Sequence, residues 1–284
     1  MPGHAGASPF HHRTIEEVRD YWNRRPCNIR HSPQPVGRRE YFDEVERRKY
    51  FVEPHIPVFA DFSAWKDKRV LEVGCGIGTD TINFARAGAR VTAVDLSSES
   101  LRMARKRAAV FELSEKIRFV EADVERLPQF LPVEPYDLIY SFGVLHHTPD
   151  PAAALRALRS YLAPGGTLKL MMYHRRSWKV LWLLLREGRG RLWDLDRVIA
   201  RGSEAQTGCP VTYSYTRRSL EDLLHRTGYA PCESFVEHIF PWRIPDYVRY
   251  EYEKVWYFRV LPGPAFRWLE RRLGWHLCVT AGPR

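Results

Sequence analysis

Val70-Leu71-Glu72-Val73-Gly74-Cys75-Gly76-Ile77-Gly78-Thr79 is the stretch whose reading decides the fold. Val70, Leu71 and Val73 read as a buried strand, and the glycines begin where that strand turns into a helix. The run 81–86, Thr-Ile-Asn-Phe-Ala-Arg, has helical character. Gly88 and Ala89 then precede a second apolar strand at 91–94, which ends on Asp95. A strand, a Gly-rich turn, a helix and an acidic strand end make a nucleotide-type cofactor crevice. Glycines let the backbone approach closely, and the acid accepts hydrogen bonds from ribose hydroxyls. Glycines alone are a weak signal; Asp95 strengthens it, because it follows at the spacing such crevices use.

Further segments recur in a fixed order: Asp95-Leu96-Ser97, Ala122-Asp123-Val124, the run 136–147 from Tyr136-Asp137 to His146-His147, and Leu162-Ala163-Pro164-Gly165-Gly166. With Glu72-Val73-Gly74-Cys75-Gly76-Ile77-Gly78 at their head, they resemble the motifs of class I S-adenosylmethionine-dependent methyltransferases over residues 65–175. An NAD-linked enzyme uses the same crevice but more often lacks the acid before its glycines. The resemblance implies an α/β, Rossmann-like seven-stranded fold, S-adenosyl-L-methionine as cofactor, and an activity of methyl transfer. It implies that Glu72 serves the cofactor's amino group, directly or through water. Gly74, Cys75, Gly76 and Gly78 form the tight wall, and Asp95, followed by Leu96, holds the ribose. Asp123 meets the adenine amine with Val124 packed on the ring, and Phe142 begins the loop facing the methyl group. Asp123 also has a plainer reading, as an aspartate capping a turn.

The chain has 284 residues, a formal charge of +10 and five cysteines, at 27, 75, 209, 232 and 278. The cysteines show neither zinc spacing nor a disulfide framework, so no metal site is expected and a reduced, cytoplasmic location is. The longest nonpolar run, 180–185, is far short of the roughly 20 residues that cross a bilayer. Paired arginines at 24–25, 38–39, 47–48, 175–176, 217–218 and 271–272 carry much of the charge. They fit a solvated face, a small anionic substrate or a nucleic acid. No nucleic-acid module accompanies them. A nucleic-acid methyltransferase and a non-catalytic cofactor-binding protein remain the other readings.

Along the chain, residues 1–60 read as a flexible start followed by a helical N-terminal cover over the crevice. Thr14 and Glu17 can form a capping box. Tyr21 and Trp22 lead into a polar, proline-broken loop at 23–32, and 37–51 suggests a charged helix. The core, 61–284, continues with a helix at 98–112, a strand at 117–120, a strand at 136–141, a helix at 150–162 and a strand at 167–172. Insertions at 177–214 and 241–272 read as lids. Between and after them come a helix at 217–226, a strand at 232–239 and a last antiparallel strand at 275–281.

The sulfonium of the implied cofactor is already activated, so the protein mainly binds, orients and excludes water. His146, His147 and His174 are the candidates to deprotonate a nucleophile, since imidazole titrates near neutrality. Either of the first two can instead simply support its loop. Tyr21, Arg24, Arg30, His31, Arg175, Tyr213, Tyr215 and His238 are candidates to hold the acceptor; the bland alternative is that they join the insertions to the core. No Asn/Asp-Pro-Pro-Tyr/Phe motif and no double-glutamate hairpin is present, so the expected acceptor is a small molecule, aromatic or lipophilic, with room for an anionic group. Trp178, Val180, Leu181, Trp182, Leu184 and Leu185, beside Arg175, Arg176, Lys179 and Arg186, either pack against the lid or meet a membrane surface.

Overall fold

The structure is a computed structural model, and it describes residues 10, 12–186, 195–206 and 208–284. Most of the expected flexible start, and residues 187–194 and 207 of the first insertion, lie outside the described residues. The glycine stretch joins strand β1 (Arg69–Val73) to helix α4 (Thr79–Arg86), following three N-terminal helices, α1 (Ile15–Arg24), α2 (Arg39–Val52) and α3 (His55–Ala60). The parallel βα order continues through β2 (Arg90–Asp95), α5 (Ser98–Val110), β3 (Ile117–Glu121), β4 (Tyr136–Phe142), α6 (Pro151–Arg159) and β5 (Leu162–Tyr173). Two helices, α7 (Trp178–Arg186) and α8 (Leu195–Gln206), precede α9 (Arg217–Arg226) and β6 (Tyr229–Glu237). Then α10 (Ile244–Val248), α11 (Trp256–Arg259) and α12 (Gly263–Leu273) lead to β7 (His276–Pro283).

The seven strands form one sheet in the order β3-β2-β1-β4-β5-β7-β6, with β7 antiparallel to both its neighbours. Alternate residues of each strand feed two separate cores. Leu71, Val73, Ile139, Leu168 and Leu170 enter one, while Val70, Leu138, Tyr140, Met171 and Tyr173 enter the other. Side chains alternate across a pleated strand, so this division shows apolar layers on both faces. That is why the central strands read as nearly continuous apolar runs.

The segment expected as strand at 167–172 is longer, because Leu162 already pairs with Tyr136 before an irregularity at Tyr136/Leu138. The helix expected to 162 therefore stops at Arg159. The strand expected at 232–239 is shifted toward the N-terminus, starting at Tyr229 and pairing there with Pro283. Thr14 and Glu17 do form a capping box on α1.

A buried polar knot ties the N-terminal helices to the core. Lys49 Nζ lies 2.7 Å from Asp80 Oδ1, and the Tyr50 and Tyr140 hydroxyls donate to the same carboxylate at 2.9 and 3.1 Å. Fully buried Arg107 donates to Thr79 Oγ1, to the Phe42 carbonyl and to Glu46. Further along α2, Arg48 is enclosed by the rings of Tyr247 and Tyr250, 4.1 and 4.3 Å from its guanidinium carbon. Phe51 stacks on Trp242. Much of the aromatic content of the second insertion thus packs on α2. Among the described residues no helix is long and apolar enough to cross a membrane.

Candidate active site

At the carboxyl ends of β1, β2, β3 and β4, where open α/β sheets hold ligands, lies a cleft of about 310 Å³. One wall comes from Val73 to Ile77, Val94 to Leu96 and Ala122 to Val124. The rest comes from Ile15, Val18, Trp22, Cys27, Asn28, Lys49, Glu53, Thr79, Ser100, Phe142 to Val144, His147, Thr148, Met171, Tyr173 and His276.

The glycine wall has a particular shape. A side chain on Gly74 would strike Val144, whose nearest atom is 2.1 Å from the position of a Cβ. Gly76 has φ +55°, and a Cβ there would meet nothing within 4 Å. It therefore opens a cradle in which a ligand can approach the backbone. Gly78 does not line the cleft; it starts α4 and packs against Ala104. Asp95 locks the turn, since its carboxylate accepts from Gly76 N at 2.7 Å and Ser97 N at 2.8 Å. A carboxylate has about four acceptor positions, so capacity remains for two ribose hydroxyls. Burial raises the Asp95 carboxyl to about 6 against those amide bonds.

Glu72 is buried and does not line the cleft. Its carboxylate accepts from Thr81 Oγ1 at 2.5 Å. Burial, with Asp80 nearby, pushes it up to about 8. Its direct observed role is thus to join β1 to α4. Asp123 lines the cleft and also accepts from Glu125 N at 2.9 Å, so both readings of it hold geometrically. Cys75, Leu96, Val124 and Phe142 line the cleft as well.

The three candidate histidines separate. His147 lines the cleft, and its Nδ1 lies 2.8 Å from the Val211 carbonyl. A carbonyl only accepts, so Nδ1 carries the proton and Nε2 keeps the lone pair in the neutral ring. His146 is fully buried, with no hydrogen-bond partner for either ring nitrogen, and its ring lies tilted against Tyr173 with centroids 3.7 Å apart. Burial holds it well below the usual imidazole range. His174 lies outside the cleft, its Nδ1 3.1 Å from the Gly274 carbonyl.

The acceptor candidates are mostly engaged elsewhere. Arg24 and Arg30 are exposed and do not line the cleft, and neither Tyr21 nor His31 does. Tyr21 packs edge-on to Trp22, and His31 packs edge-on to Tyr247. Arg175 pairs with Asp196 on α8 at 2.5 Å. The Tyr213 hydroxyl donates to the Pro149 carbonyl, and Tyr215 joins a backbone bridge to His174. His238 stacks on His276 at 4.5 Å. Of these, Arg175, Tyr213 and His31 join an insertion to another segment, as large rings and long arginines do wherever two segments dock. The polar loop reaches the cleft through Cys27 and Asn28 instead. Lys49, Glu53, Tyr173 and His276 also reach it, from positions with no local motif.

A family model described as a methyltransferase domain matches residues 44–234, well over half of the chain. The chain belongs to this family. Its fold is that of the class I S-adenosylmethionine-dependent methyltransferases. The ubiquinone biosynthesis O-methyltransferase of Yersinia pestis (strain Pestoides F) is 38% identical over 114 residues, 39% of this chain and 46% of the relative. The chain spans less than half the length of the curated relatives it matches. Among solved structures, magnesium protoporphyrin IX methyltransferase from Synechocystis PCC 6803 with bound SAH is similar at a TM-score of 0.59 and 17% identity, over 95% of this chain and 100% of that one. Geranyl diphosphate C-methyltransferase from Streptomyces coelicolor A3(2) is similar at 0.59 and 15%, over 98% and 100%. At such identities these two likenesses concern the fold.

Proposed function

We propose that the chain transfers a methyl group from S-adenosyl-L-methionine to a small aromatic or lipophilic acceptor. The observation that carries this is one continuous cleft, in which the open Gly76 cradle and Asp95 share walls with Phe142, Tyr173 and His147. The matched family and the names of its relatives support the reading: a quinone-pathway O-methyltransferase, a porphyrin methyltransferase and a prenyl diphosphate C-methyltransferase. Bound here, the cofactor supplies a methyl group activated on a sulfonium. Asp95 holds its ribose, Asp123 its adenine amine and Val124 the ring. The Gly74–Ile77 backbone supplies close contact, while Glu72 fixes the turn behind it through Thr81. Trp22 and the aromatic residues of the opposite wall exclude water and align the acceptor. His147 Nε2 takes the acceptor's proton when the attacking atom is a hydroxyl oxygen.

Calorimetry with S-adenosylhomocysteine, followed by radiolabelled methyl transfer to phenolic, quinol and prenyl acceptors, tests this. One site per chain and transfer to one of these classes is the expected result. Selective NAD binding, or transfer only to RNA or DNA, would overturn it.

A second reading concerns where the chain works. Trp178 on α7 contacts Tyr257 and Phe258, and Phe258 contacts Phe266 on α12, so the three helices adjoin. They expose Leu185, Trp256 and Trp268 (73%, 69% and 60%) beside exposed Arg186, Arg259, Arg271 and Arg272. Val180 and Leu183 are buried, so α7 divides its apolar side chains between core and surface. Exposed tryptophans beside arginines suit an anionic lipid surface on the cytoplasmic side. Flotation with phosphatidylglycerol vesicles is expected, and Trp256→Ala with Trp268→Ala should abolish it. Absence of flotation for the unaltered chain would remove this reading.

A further inference from the structure

Glu53 at the end of α2, His276 at the start of β7 and His238 just past β6 are far apart in sequence, yet their donor atoms all lie within 4.8 Å of one another. His276 Nε2 is 3.6 Å from Glu53 Oε1. Two ligands of one tetrahedral ion with bonds of about 2.1 Å sit roughly 3.4 Å apart, so this pair already has nearly the required separation. We propose that Glu53, His238 and His276 bind one divalent first-row metal ion, zinc or ferrous iron, in the wall of the cleft. Two imidazoles and one carboxylate suit these ions and leave positions open.

Three further features fit a ligand set better than a chance cluster. His55 Nε2 lies 3.0 Å from His276 Nδ1. With Nδ1 as the donor, His55 fixes the His276 tautomer whose Nε2 lone pair faces Glu53, the arrangement that orients metal-bound histidines. His238 has φ +74°, an unfavourable backbone for a histidine, and its ring is nevertheless held in a stack 4.5 Å from His276. Of the two ammonium groups that would repel a cation, Lys49 is paired with Asp80 at 2.7 Å, and Lys179, which acts on both histidines, lies over the Trp275 ring at 4.6 Å.

Glu53 and His276 both line the cleft, so the open positions of the ion face its interior. There the ion would bind an acceptor hydroxyl or thiol and lower its pKa, so that its proton leaves to water and the resulting anion is held for methylation. That role rests on the methyl-transfer reading above; the binding of the ion does not.

The test uses the full chain, stripped with a chelator and titrated with Co²⁺, read by visible ligand-field absorption and by competition with Zn²⁺. One equivalent per chain, displaced by Zn²⁺, is expected. Glu53→Gln and His238→Asn should each weaken binding by at least ~100-fold, and His55→Asn by about 10- to 100-fold. Asparagine tolerates the left-handed backbone at 238, and Glu53 sits at a partly exposed helix end, so both variants should fold. His174→Asn should leave Co²⁺ binding unchanged. S-adenosylhomocysteine affinity is measured on every sample. Loss of metal binding with cofactor affinity intact supports the assignment. Absence of stoichiometric uptake, or uptake indifferent to Glu53→Gln and His238→Asn, overturns it. Metal binding without any binding of S-adenosylhomocysteine would instead sink the methyl-transfer reading and leave the ion site standing.

Discussion

The two walls of the cleft are built by different means. The cofactor wall comes from the ends of three adjacent strands, and its working parts are glycine backbone and the Asp95 carboxylate. The facing wall gathers Trp22, Cys27, Lys49, Glu53, Tyr173 and His276, drawn from the N-terminal segment, the end of β5 and the start of β7. The first wall depends on local turn geometry and strand order. The second depends on how the N-terminal helices dock, and that docking is secured by the knot around Asp80 and by Arg107. A change in the docking should therefore damage the acceptor side first.

The largest expected effect breaks that docking. Asp80→Ala strands a mostly buried Lys49 and leaves two tyrosine hydroxyls without their acceptor. Removing one partner of a buried pair costs about 3–5 kcal/mol, to be read in urea unfolding curves. A loss below ~1 kcal/mol, the level of an exposed pair, would mean that apolar packing alone holds the cover. Next comes His147→Gln. For a hydroxyl acceptor, kcat should fall about 100-fold, the lower range for general-base catalysis, with S-adenosylhomocysteine affinity unchanged. An unchanged kcat would assign the rate to positioning.

On the other wall, Asp95→Ala removes the acceptor of two backbone amides and the one proposed for the ribose. Charge-assisted bonds are worth about 1.5–3 kcal/mol, so the dissociation constant of S-adenosylhomocysteine should rise roughly 10- to 100-fold. Arg24→Ala and Arg30→Ala, both outside the cleft, should leave it unaltered. Equal effects from the arginine and aspartate variants would erase the contrast between the walls.

The same contrast explains what could be read in the sequence. The strand–glycine–helix unit and Asp95 were legible because each rests on short-range geometry with a fixed spacing. The strand ends near 162 and 229 were less so, because partner strands set them: Tyr136 recruits Leu162 and Pro283 recruits Tyr229. In the 23–32 loop the arginines drew attention by their charge, but Cys27 and Asn28 reach the cleft. Asn28 adopts φ +63°, a turn residue's conformation that points to no chemistry by itself. Glu53, His238 and His276 carried no joint signal, since three single residues on separate elements have no spacing to recognise.

The smallest expected effect is a pH dependence confined to the cofactor wall. Burial raises the Asp95 carboxyl from 3.8 to about 6, although amide bonds from Ser97 and Gly76 oppose the rise. For the unliganded chain the sign is clear: the folded value lies above the unfolded one. This group's contribution to stability is therefore full below about pH 4 and is lost as pH rises through 6. Cofactor binding runs the opposite way. In the proposed complex ribose hydroxyls donate to the carboxylate, so affinity should be full above 6 and decline as the group protonates. With one proton taken up near 6, affinity should fall about tenfold between pH 7 and pH 5. A protonated carboxyl still accepts through its carbonyl oxygen, which keeps the decline below that of Asp95→Ala. Calorimetry with S-adenosylhomocysteine across this range, in buffers of different ionisation enthalpy, should show proton release from the protein as the ligand binds near pH 6. Asp95→Asn should flatten the profile. A decline of the same size in Asp95→Asn would move the titrating group elsewhere and leave Asp95 a turn-forming residue only.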